Sequence, residues 1–367
     1  MRIGIVGLPY TGKTTVFNAI TGMSAPTGKY SDTQGEMNRA VTQVPDDRLS
    51  ALAAIYHPKK ITMATIEFCD VGGLKKGASG DAGLSAFLLG QLRDMEALAV
   101  VVRIFERASV PHPDNCIDPA ADLETLLSEF ILEDLAIAEK RYRKVGESLG
   151  KGTQEDREKL AFESRTLERM IAALTEGRPV RGLEMSPEEE FLLRSFGFLS
   201  QKPVLVLANV GDFTSEIEQQ RLDRLTASCD SAGLKWIALN GDLECELRSI
   251  EDPEEQKEFM DAMGVKEHAS GAVIRAAYDV THSATFLTAG EKEVRAWEIL
   301  EGSRAVEAAA KIHTDIARGF IRAEVVPYEH LIAAGSIAGA REAGHYREEG
   351  RDAIIHEGDV ILFRFNV

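Results

Sequence analysis

One short segment, GLPYTGKT at residues 7–14, restricts most strongly what this chain can fold into. It matches G-x-x-x-x-G-K-[ST] at every fixed position, and it lies between an apolar run at 3–6 and a helix-compatible stretch at 14–20. This strand–loop–helix context is the one that a phosphate-binding loop requires. Glycines let backbone N–H groups converge on phosphate oxygens, and the helix N-terminus adds a favourable dipole. The segment therefore predicts a nucleotide-phosphate site at the first strand of an α/β sheet.

The residue types of this loop suggest individual roles. Lys13 is expected to contact the β- and γ-phosphates as a catalytic residue, and the Thr14 hydroxyl is expected to ligate Mg²⁺. The other loop residues predicted to bind the nucleotide are Gly7, Pro9, Tyr10, Thr11, Gly12 and Thr15.

A second element, D-V-G-G at residues 70–73, ends the apolar run that begins at residue 61. After a phosphate loop, an Asp in this place holds Mg²⁺, so Asp70 is a predicted metal ligand, and the Gly73 N–H is placed to sense the γ-phosphate. The next residue, Leu74, occupies the position where many GTPases carry a water-orienting glutamine.

A third element, N-x-x-D at residues 209–212, follows the apolar run 204–208. In N-K-x-D motifs the Asp carboxylate reads guanine and the Lys packs over the ring. Here Asn209 and Asp212 are present, and Val210 replaces the lysine. Asn240 and Gly241 follow another apolar run and are expected near the base. The alternative is that Asn and Asp are ordinary turn residues after a strand.

The distribution of apolar runs predicts the architecture. Runs at 61–68, 98–102, 204–208 and 236–239 alternate with helical stretches, which indicates a mainly parallel sheet with helices on both faces. Residues 120–196 contain no strand candidate and fit two antiparallel helices, either inserted as a hairpin or packed as ordinary core helices. The last eighty residues suggest a small α+β unit, with strands at 283–288, 294–299, 321–325 and 360–365 and a helix at 306–318. The predicted domains are 1–119 with 197–280, 120–196, and 281–367.

Charge and cysteine usage exclude some classes of function. The 42 Lys and Arg against 59 Asp and Glu give a net charge of −17, which argues against a nonspecific DNA binder. The 4 cysteines form no C-x-x-C pair, so neither a zinc site nor a disulfide framework is expected. With no apolar run approaching membrane-spanning length and no signal-peptide pattern, we expect a cytoplasmic protein without a membrane partner.

These motifs, together with C-terminal segments, resemble the YchF / Obg-like ATPase family, a branch of the translation-factor-related GTPases, over essentially the whole chain. The resembling segments are 7–14, 70–79, 286–297, 311–315, 319–323 and 358–367. The resemblance implies a G domain, an inserted helical coiled-coil hairpin and a C-terminal TGS-type, ubiquitin-like domain. It also implies Mg²⁺-dependent hydrolysis of ATP or GTP and binding to the ribosome or a ribosomal subunit.

Two residues match further features of that family. Its members carry a hydrophobic residue in place of the catalytic glutamine, as Leu74 does here. They also carry a histidine after the fourth strand that is proposed to assist hydrolysis, and His112 matches it. The alternative for His112 is a surface-loop imidazole without a role.

The chain also departs from the family pattern. Tyr10 and Thr11 replace an Asn and a Val, and the Asn is associated with monovalent-cation binding in related hydrolases. The segment 30–37 lacks the usual first-switch residues, which leaves Thr33 as the nearest Mg²⁺ candidate. Asp212 stands where the family has Glu, which shifts the expectation toward guanine. These departures indicate a divergent paralogue.

The leading hypothesis is a slow ATP or GTP hydrolase that acts as a ribosome-associated switch. The alternative is a hydrolysis-deficient, nucleotide-gated binding module, and the D-x-x-G and N-x-x-D motifs argue against a small-molecule kinase. An rRNA contact is expected either at Lys75 and Lys76 or on a basic face at Arg318, Arg322 and Arg341. A solvated lysine pair is the alternative for the first of these.

Overall fold

The computed structural model describes residues 1–25, 37–71, 86–112, 116–150, 152–211 and 214–366. The strands are β1 (Arg2–Val6), β2 (Asn38–Gln43), β3 (Ile61–Thr62), β4 (Thr65–Asp70), β5 (Ala97–Arg103), β6 (Val204–Asn209), β7 (Lys235–Leu239), β8 (Ser283–Ala289), β9 (Val294–Leu300), β10 (Phe320–Pro327), β11 (Arg347–Glu349) and β12 (Asp359–Phe365). The helices are α1 (Lys13–Thr21), α2 (Arg48–Tyr56), α3 (Ala86–Arg93), α4 (Pro119–Ser148), α5 (Gln154–Thr175), α6 (Pro187–Leu193), α7 (Glu216–Ser231), α8 (Gly241–Ser249), α9 (Pro253–Ala262), α10 (Ala269–Thr281), α11 (Ala305–Ile312), α12 (Thr314–Arg318), α13 (Tyr328–Ala334) and α14 (Ile337–Glu342).

The first sheet has the strand order β2-β4-β1-β5-β6-β7 among the described residues. The pairs from β1 through β5 and β6 to β7 are parallel, with Arg103 opposite Asn209 and Asn209 opposite Leu239. Every residue of β5 and β6 is buried, as expected for strands covered by helices on both faces. The predicted parallel α/β fold is confirmed. Because parallel strands end at one edge, the segments after β1, β5, β6 and β7 lie together there.

Residues 119–148 and 154–175 form two long helices, α4 and α5, here called the helical arm. Asp118 caps the start of α4, and Thr153 forms a capping box with Asp156 at the start of α5. The arm has its own apolar core, which includes Ala138 and Leu167. The prediction of two helices is confirmed, and the structure describes no strand within 116–150 or 152–196.

The second sheet has the order β11-β10-β12-β8-β9-β3 in the described part of the chain. β8 and β9 form an antiparallel hairpin, with Phe286 opposite Trp297, and β12 lies parallel to β8. The predicted strands and the α+β character of this region are confirmed. The predicted helix at 306–318 is interrupted, because His313 has an extended backbone (φ −163°) and its Nδ1 accepts a hydrogen bond from the Asp315 N–H at 3.1 Å. His313 thereby caps α12.

The predicted strand at 61–68 is instead divided between the two sheets. β3 pairs with β9, placing Ile61 opposite Val294, whereas β4 belongs to the first sheet. Ala64, between the two strands, is buried in an apolar cluster with Leu52 and Val294. A continuous apolar run does not reveal this division because both strands pair with partners distant in sequence.

Contacts divide the chain into two compact units. The N-terminal unit comprises Arg2–Ala40 and Phe68–Ala269, and the C-terminal unit comprises Met1, Val41–Glu67 and Ser270–Val367. The segment Val41–Glu67 thus groups with the C-terminal unit and not with the rest of 1–119, because α2 and β3 pack against β9 and its neighbours. The finer limits of the three predicted domains stay a prediction. No helix of the described residues has the length and hydrophobicity to cross a lipid bilayer.

Candidate nucleotide-binding site

The loop at residues 7–12 connects β1 to α1, and two of its glycines are sterically required. A Cβ at Gly7 would collide with the backbone carbonyl oxygen of Val101 in β5. Gly12 has φ +84°, and a Cβ there would collide with the side-chain amide of Asn209. At these two positions the loop packs too closely against its neighbours for any residue larger than glycine. The backbone of Tyr10 also has a left-handed conformation (φ 65°), and this residue is 46% exposed.

Two polar side chains of this segment fold back onto its own backbone. The Thr11 hydroxyl donates to the Leu8 carbonyl at 3.0 Å, and Lys13 Nζ donates to the same carbonyl at 2.8 Å. Both side chains are buried. Gly12 offers α1 no capping side chain, and the first turn of α1 holds no acidic residue. The positive end of the helix is therefore not neutralised by a carboxylate of its own first turn, which suits it to an anion.

Two of the three predicted metal ligands, Thr14 and Asp70, meet beside this loop although they are 56 residues apart in the chain. Thr14 Oγ1 donates to Asp70 Oδ2 at 2.8 Å, and the Asn38 amide approaches the same oxygen at 3.4 Å. Hydroxyl and carboxylate oxygens are the ligand type that Mg²⁺ prefers, so the donor set fits this ion. In the part of the chain that the structure describes, no group of three or more His, Cys, Asp or Glu side chains forms a metal cluster.

Asn209, at the end of β6, links the loop to the strand edge beyond it. Its Nδ2 donates to the Thr11 carbonyl at 3.1 Å, and its Oδ1 accepts from the Gly241 N–H at 3.2 Å. Asn240 accepts from the Leu243 N–H at 2.9 Å, which caps α8, and donates to the Gly211 carbonyl at 2.6 Å. The structure thus connects the loop to Gly241 through Asn209, with Asn240 next to Gly241 in the chain. That these residues contact a base stays a prediction. Both polar atoms of the Asn209 side chain contact protein backbone.

Other predicted site residues are placed differently or lie outside the described residues. Val210 is buried in the apolar core of the N-terminal unit, 3% exposed, and its N–H donates to the Leu239 carbonyl. Its predicted base contact stays a prediction. The residues outside the described ranges are Thr33, Gly73, Leu74, Lys75, Lys76 and Asp212.

His112 is buried, contrary to the surface-loop alternative. Its Nε2 lies 3.0 Å from Asp122 Oδ2 in the first turns of α4, and the two side chains are 5% and 7% exposed. Its role in hydrolysis stays a prediction. Sequence reasoning gave no role to Asp122, because an acidic residue near a helix N-terminus is already explained by the helix dipole.

Arg103, also missed, organises the segment between β5 and His112. This buried guanidinium donates to the carbonyls of Phe105, Val110 and Pro111 at 3.1, 3.1 and 3.0 Å. Burial lowers the pKa of Arg103, and the nearby Arg221 lowers it further. The available signal was an arginine at the end of an otherwise apolar strand.

Glu218 of α7 is the third residue that the sequence did not reveal. One carboxylate oxygen accepts from the Gly211 N–H at 2.8 Å and the other accepts from the Glu106 N–H at 3.0 Å. This single side chain fixes the loops after β5 and β6 relative to each other.

Two family models match separate parts of the chain. Residues 2–136 match the family model MMR_HSR1, described as "50S ribosome-binding GTPase". Residues 284–366 match the model YchF-GTPase_C, described as "Protein of unknown function (DUF933)".

Curated proteins and a solved structure match over the full length. "Ribosome-binding ATPase YchF" of Bacillus subtilis (strain 168) is 38% identical over 100% of both chains. The protein of that name from Escherichia coli O157:H7 is 37% identical over 100% of this chain and 99% of its own. The structure of the Schizosaccharomyces pombe YchF GTPase superposes with a TM-score of 0.82 at 29% identity, covering 99% of this chain and 97% of that one.

Proposed function

This chain belongs to the YchF family, and from that membership we propose that it is a ribosome-associated switch that slowly hydrolyses ATP, GTP or both with Mg²⁺. The curated relatives that match its full length carry the name "Ribosome-binding ATPase". Three features of the site also support the proposal: the phosphate loop, the contact between Thr14 and Asp70, and the loops that the Asn209 side chain connects.

The single observation that carries the hydrolase proposal is the 2.8 Å contact between Thr14 and Asp70 beside the glycine loop. In this arrangement the backbone N–H groups of the loop and Lys13 bind and orient the phosphates. Thr14 and Asp70 would hold Mg²⁺, which when bound neutralises charge on the phosphate oxygens. Asn209 and Asn240 position the loops that face the base.

Steady-state turnover with saturating Mg-ATP and Mg-GTP tests this proposal. Lys13→Ala removes the ammonium that we propose to bind the phosphates. A hydrogen bond to a charged group contributes about 1.5–3 kcal/mol, so we expect turnover to fall about 10- to 100-fold. Lys159→Ala, on the exposed surface of α5, is the matched control and should leave turnover unchanged. Equal rates for the wild type and Lys13→Ala would favour the hydrolysis-deficient binding module.

The choice of base is tested by equilibrium titration with ATP and with GTP. Tighter GTP binding that weakens in Asp212→Glu would make Asp212 a guanine reader. If ATP binds as tightly as GTP or more tightly, and Asp212→Glu does not change this, the base preference agrees with the name of the relatives, which are called ATPases.

Ribosome binding is tested by cosedimentation at low salt in each nucleotide state, and failure in every state would contradict it. A cytoplasmic location follows from this partner. Each arginine of the predicted basic face has a carboxylate close by, and its contact with rRNA stays a prediction. Arg322 lies 3.4 Å from Glu324, and Arg341 lies 4.0 Å from Glu348. Arg318 lies 3.9 Å from Asp315. The second predicted rRNA contact, at Lys75 and Lys76, stays a prediction as well.

A further inference from the structure

Glu218 of α7 binds two separate backbone segments with a single carboxylate. Ser215 and Glu218 form the S-x-x-E pattern that opens a helix, yet both carboxylate oxygens of Glu218 accept from N–H groups outside α7. One oxygen lies 2.8 Å from the Gly211 nitrogen, and the other lies 3.0 Å from the Glu106 nitrogen. The side chain is buried. An ionised carboxylate holds such N–H groups more strongly than a neutral acceptor does.

The two segments that Glu218 binds are here called the nucleoside-side wall: residues 104–106 after β5, and residues 209–211 at the end of β6. They also bind each other, because the Asn209 carbonyl accepts from the N–H groups of Ile104 and Phe105 at 2.9 and 3.1 Å. α7 makes a further contact with the first segment, in which Arg221 donates to the Ile104 carbonyl at 3.2 Å. The position of the wall therefore depends on side chains from the start of α7.

The wall lies directly against the phosphate loop. Asn209 Nδ2 donates to the Thr11 carbonyl at 3.1 Å, and a Cβ placed on Gly12 would lie 3.7 Å from the Phe105 ring. Within the wall, a Cβ on Gly211 would lie 3.0 Å from the Phe105 Cβ, so the two segments pack closely. Ligands of open α/β sheets bind at the carboxyl ends of the strands, which is where the wall lies. A nucleotide whose phosphates occupy the loop is therefore expected to extend its nucleoside along this wall.

We propose that Glu218 is a positioning residue for the nucleoside part of the bound nucleotide. It fixes the wall through the backbone of Gly211 and Glu106, so that the nucleoside contributes to binding, whereas the loop binds the phosphates independently of it. The proposal rests on the proposed function, in which a nucleoside triphosphate binds at residues 7–14. Its distinguishing consequence is that a phosphate chain without a nucleoside binds equally well with or without the Glu218 carboxylate.

Glu218→Gln tests this consequence, because it keeps the length of the side chain but directs an amide donor at one of the two N–H groups. We expect the Kd of Mg-ATP and of Mg-GTP, measured by calorimetric titration, to increase about tenfold, which corresponds to about 1.4 kcal/mol. The Kd of Mg-tripolyphosphate should be the same in both proteins. The matched control is Glu216→Gln, which removes an exposed carboxylate from the same helical turn and should bind all three ligands as the wild type does.

Two results of these titrations would overturn the proposal. If Glu218→Gln binds ATP and GTP as tightly as the wild type does, the carboxylate does not position the nucleoside. If the Kd of tripolyphosphate increases by the same factor as that of ATP, the change has reached the phosphate loop, and Glu218 stabilises the site as a whole.

Steady-state hydrolysis gives a second readout that does not need tripolyphosphate. When chemistry is slow, KM equals the dissociation constant of the substrate, so Glu218→Gln should raise KM about tenfold and leave kcat within about twofold. Partial unfolding would have the opposite signature, because it lowers the active fraction and with it kcat, but leaves KM unchanged. A lower kcat at unchanged KM would therefore also overturn the proposal.

Failure of this proposal can be told apart from failure of the proposed function. A wild type that binds neither ATP nor GTP contradicts both, whereas a wild type and a Glu218→Gln variant that bind them equally contradict only this proposal. Thermal unfolding checks that the variant is folded. If it is not, Glu218→Asp keeps the charge but shortens the side chain by one methylene, and it should likewise weaken ATP binding without weakening tripolyphosphate binding.

Discussion

The Asn209 side chain offers a sharp test of how the nucleotide site is built. It is buried, donates to the Thr11 carbonyl at 3.1 Å and accepts from the Gly241 N–H at 3.2 Å. Asn209→Asp keeps the size of the side chain and the oxygen that faces Gly241. It replaces the amide donor by a carboxylate oxygen directed at the Thr11 carbonyl oxygen.

The expected magnitude follows from these two contacts. Asn209→Ala leaves one buried acceptor and one buried donor without their partner, which costs about 2–6 kcal/mol of unfolding free energy. Asn209→Asp retains one bond but buries a charge against a carbonyl oxygen, and an uncompensated buried charge costs about 3–5 kcal/mol. At neutral pH we therefore expect each variant to lose about 4 kcal/mol of unfolding free energy. A loss of about 4 kcal/mol lowers the melting temperature of a unit of this size by about 8–16 °C.

Only the Asp variant should depend on pH. A protonated carboxyl group can donate to the Thr11 carbonyl as the amide does, so folding raises the pKa of the introduced carboxyl group. The folded state then binds a proton that the unfolded state releases, and the stability of this variant increases as pH falls toward the raised pKa. As the pH is lowered from about 8 to about 5.5, the melting temperature of Asn209→Asp should rise toward that of the wild type. The difference in melting temperature between Asn209→Ala and the wild type should stay constant over the same range. Parallel curves for the two variants, or wild-type stability of Asn209→Asp at pH 8, would refute this reasoning.

Three further changes test other parts of the fold. Gly7→Ala introduces a collision with a β5 carbonyl oxygen and should abolish nucleotide binding in a calorimetric titration, whereas Gly90→Ala, at a helix position with open space, should bind normally. Burial raises the pKa of Asp134, so its contribution to folding is most favourable below its unfolded pKa and declines as pH rises through the raised value. Asp134→Asn should remove that decline from denaturant-unfolding curves measured across the acid range, and an unchanged slope would contradict it. Leu167→Ala, in the core of the helical arm, should cost about 2–5 kcal/mol of unfolding free energy. The exposed Leu132→Ala should cost less than about 0.5 kcal/mol, and similar losses for both would show that the arm is not packed as described.

Local patterns predicted much of the fold. Short apolar runs bounded by polar residues located β5, β6 and β7, and three- and four-residue spacing of leucines located the helical arm. They failed where an element depends on a distant partner. The run at 61–68 divides between two sheets because β3 pairs with β9, about 230 residues later in the chain. The helix at 306–318 is broken because His313 caps its second part.

The sequence by itself determined where the phosphate loop lies and predicted its chemistry. Gly7, Gly12, Lys13 and Thr14 form a contiguous motif whose function depends on backbone conformation and a helix N-terminus, which local residue types dictate. Asp70 could be added because the end of a strand is also a local feature.

Only the tertiary structure decided which contacts fix the motif and the segments beside it. Asn209 contacts the Thr11 carbonyl and Glu218 contacts the Glu106 N–H, and these partners are distant in the sequence and lie nearby only once the sheet has formed. A buried polar group requires a partner, but its identity depends on which chain segments meet, and that depends on strand order and helix packing. The contact between His112 and Asp122 is of this kind, since residue type and spacing marked the histidine but not the carboxylate beside it.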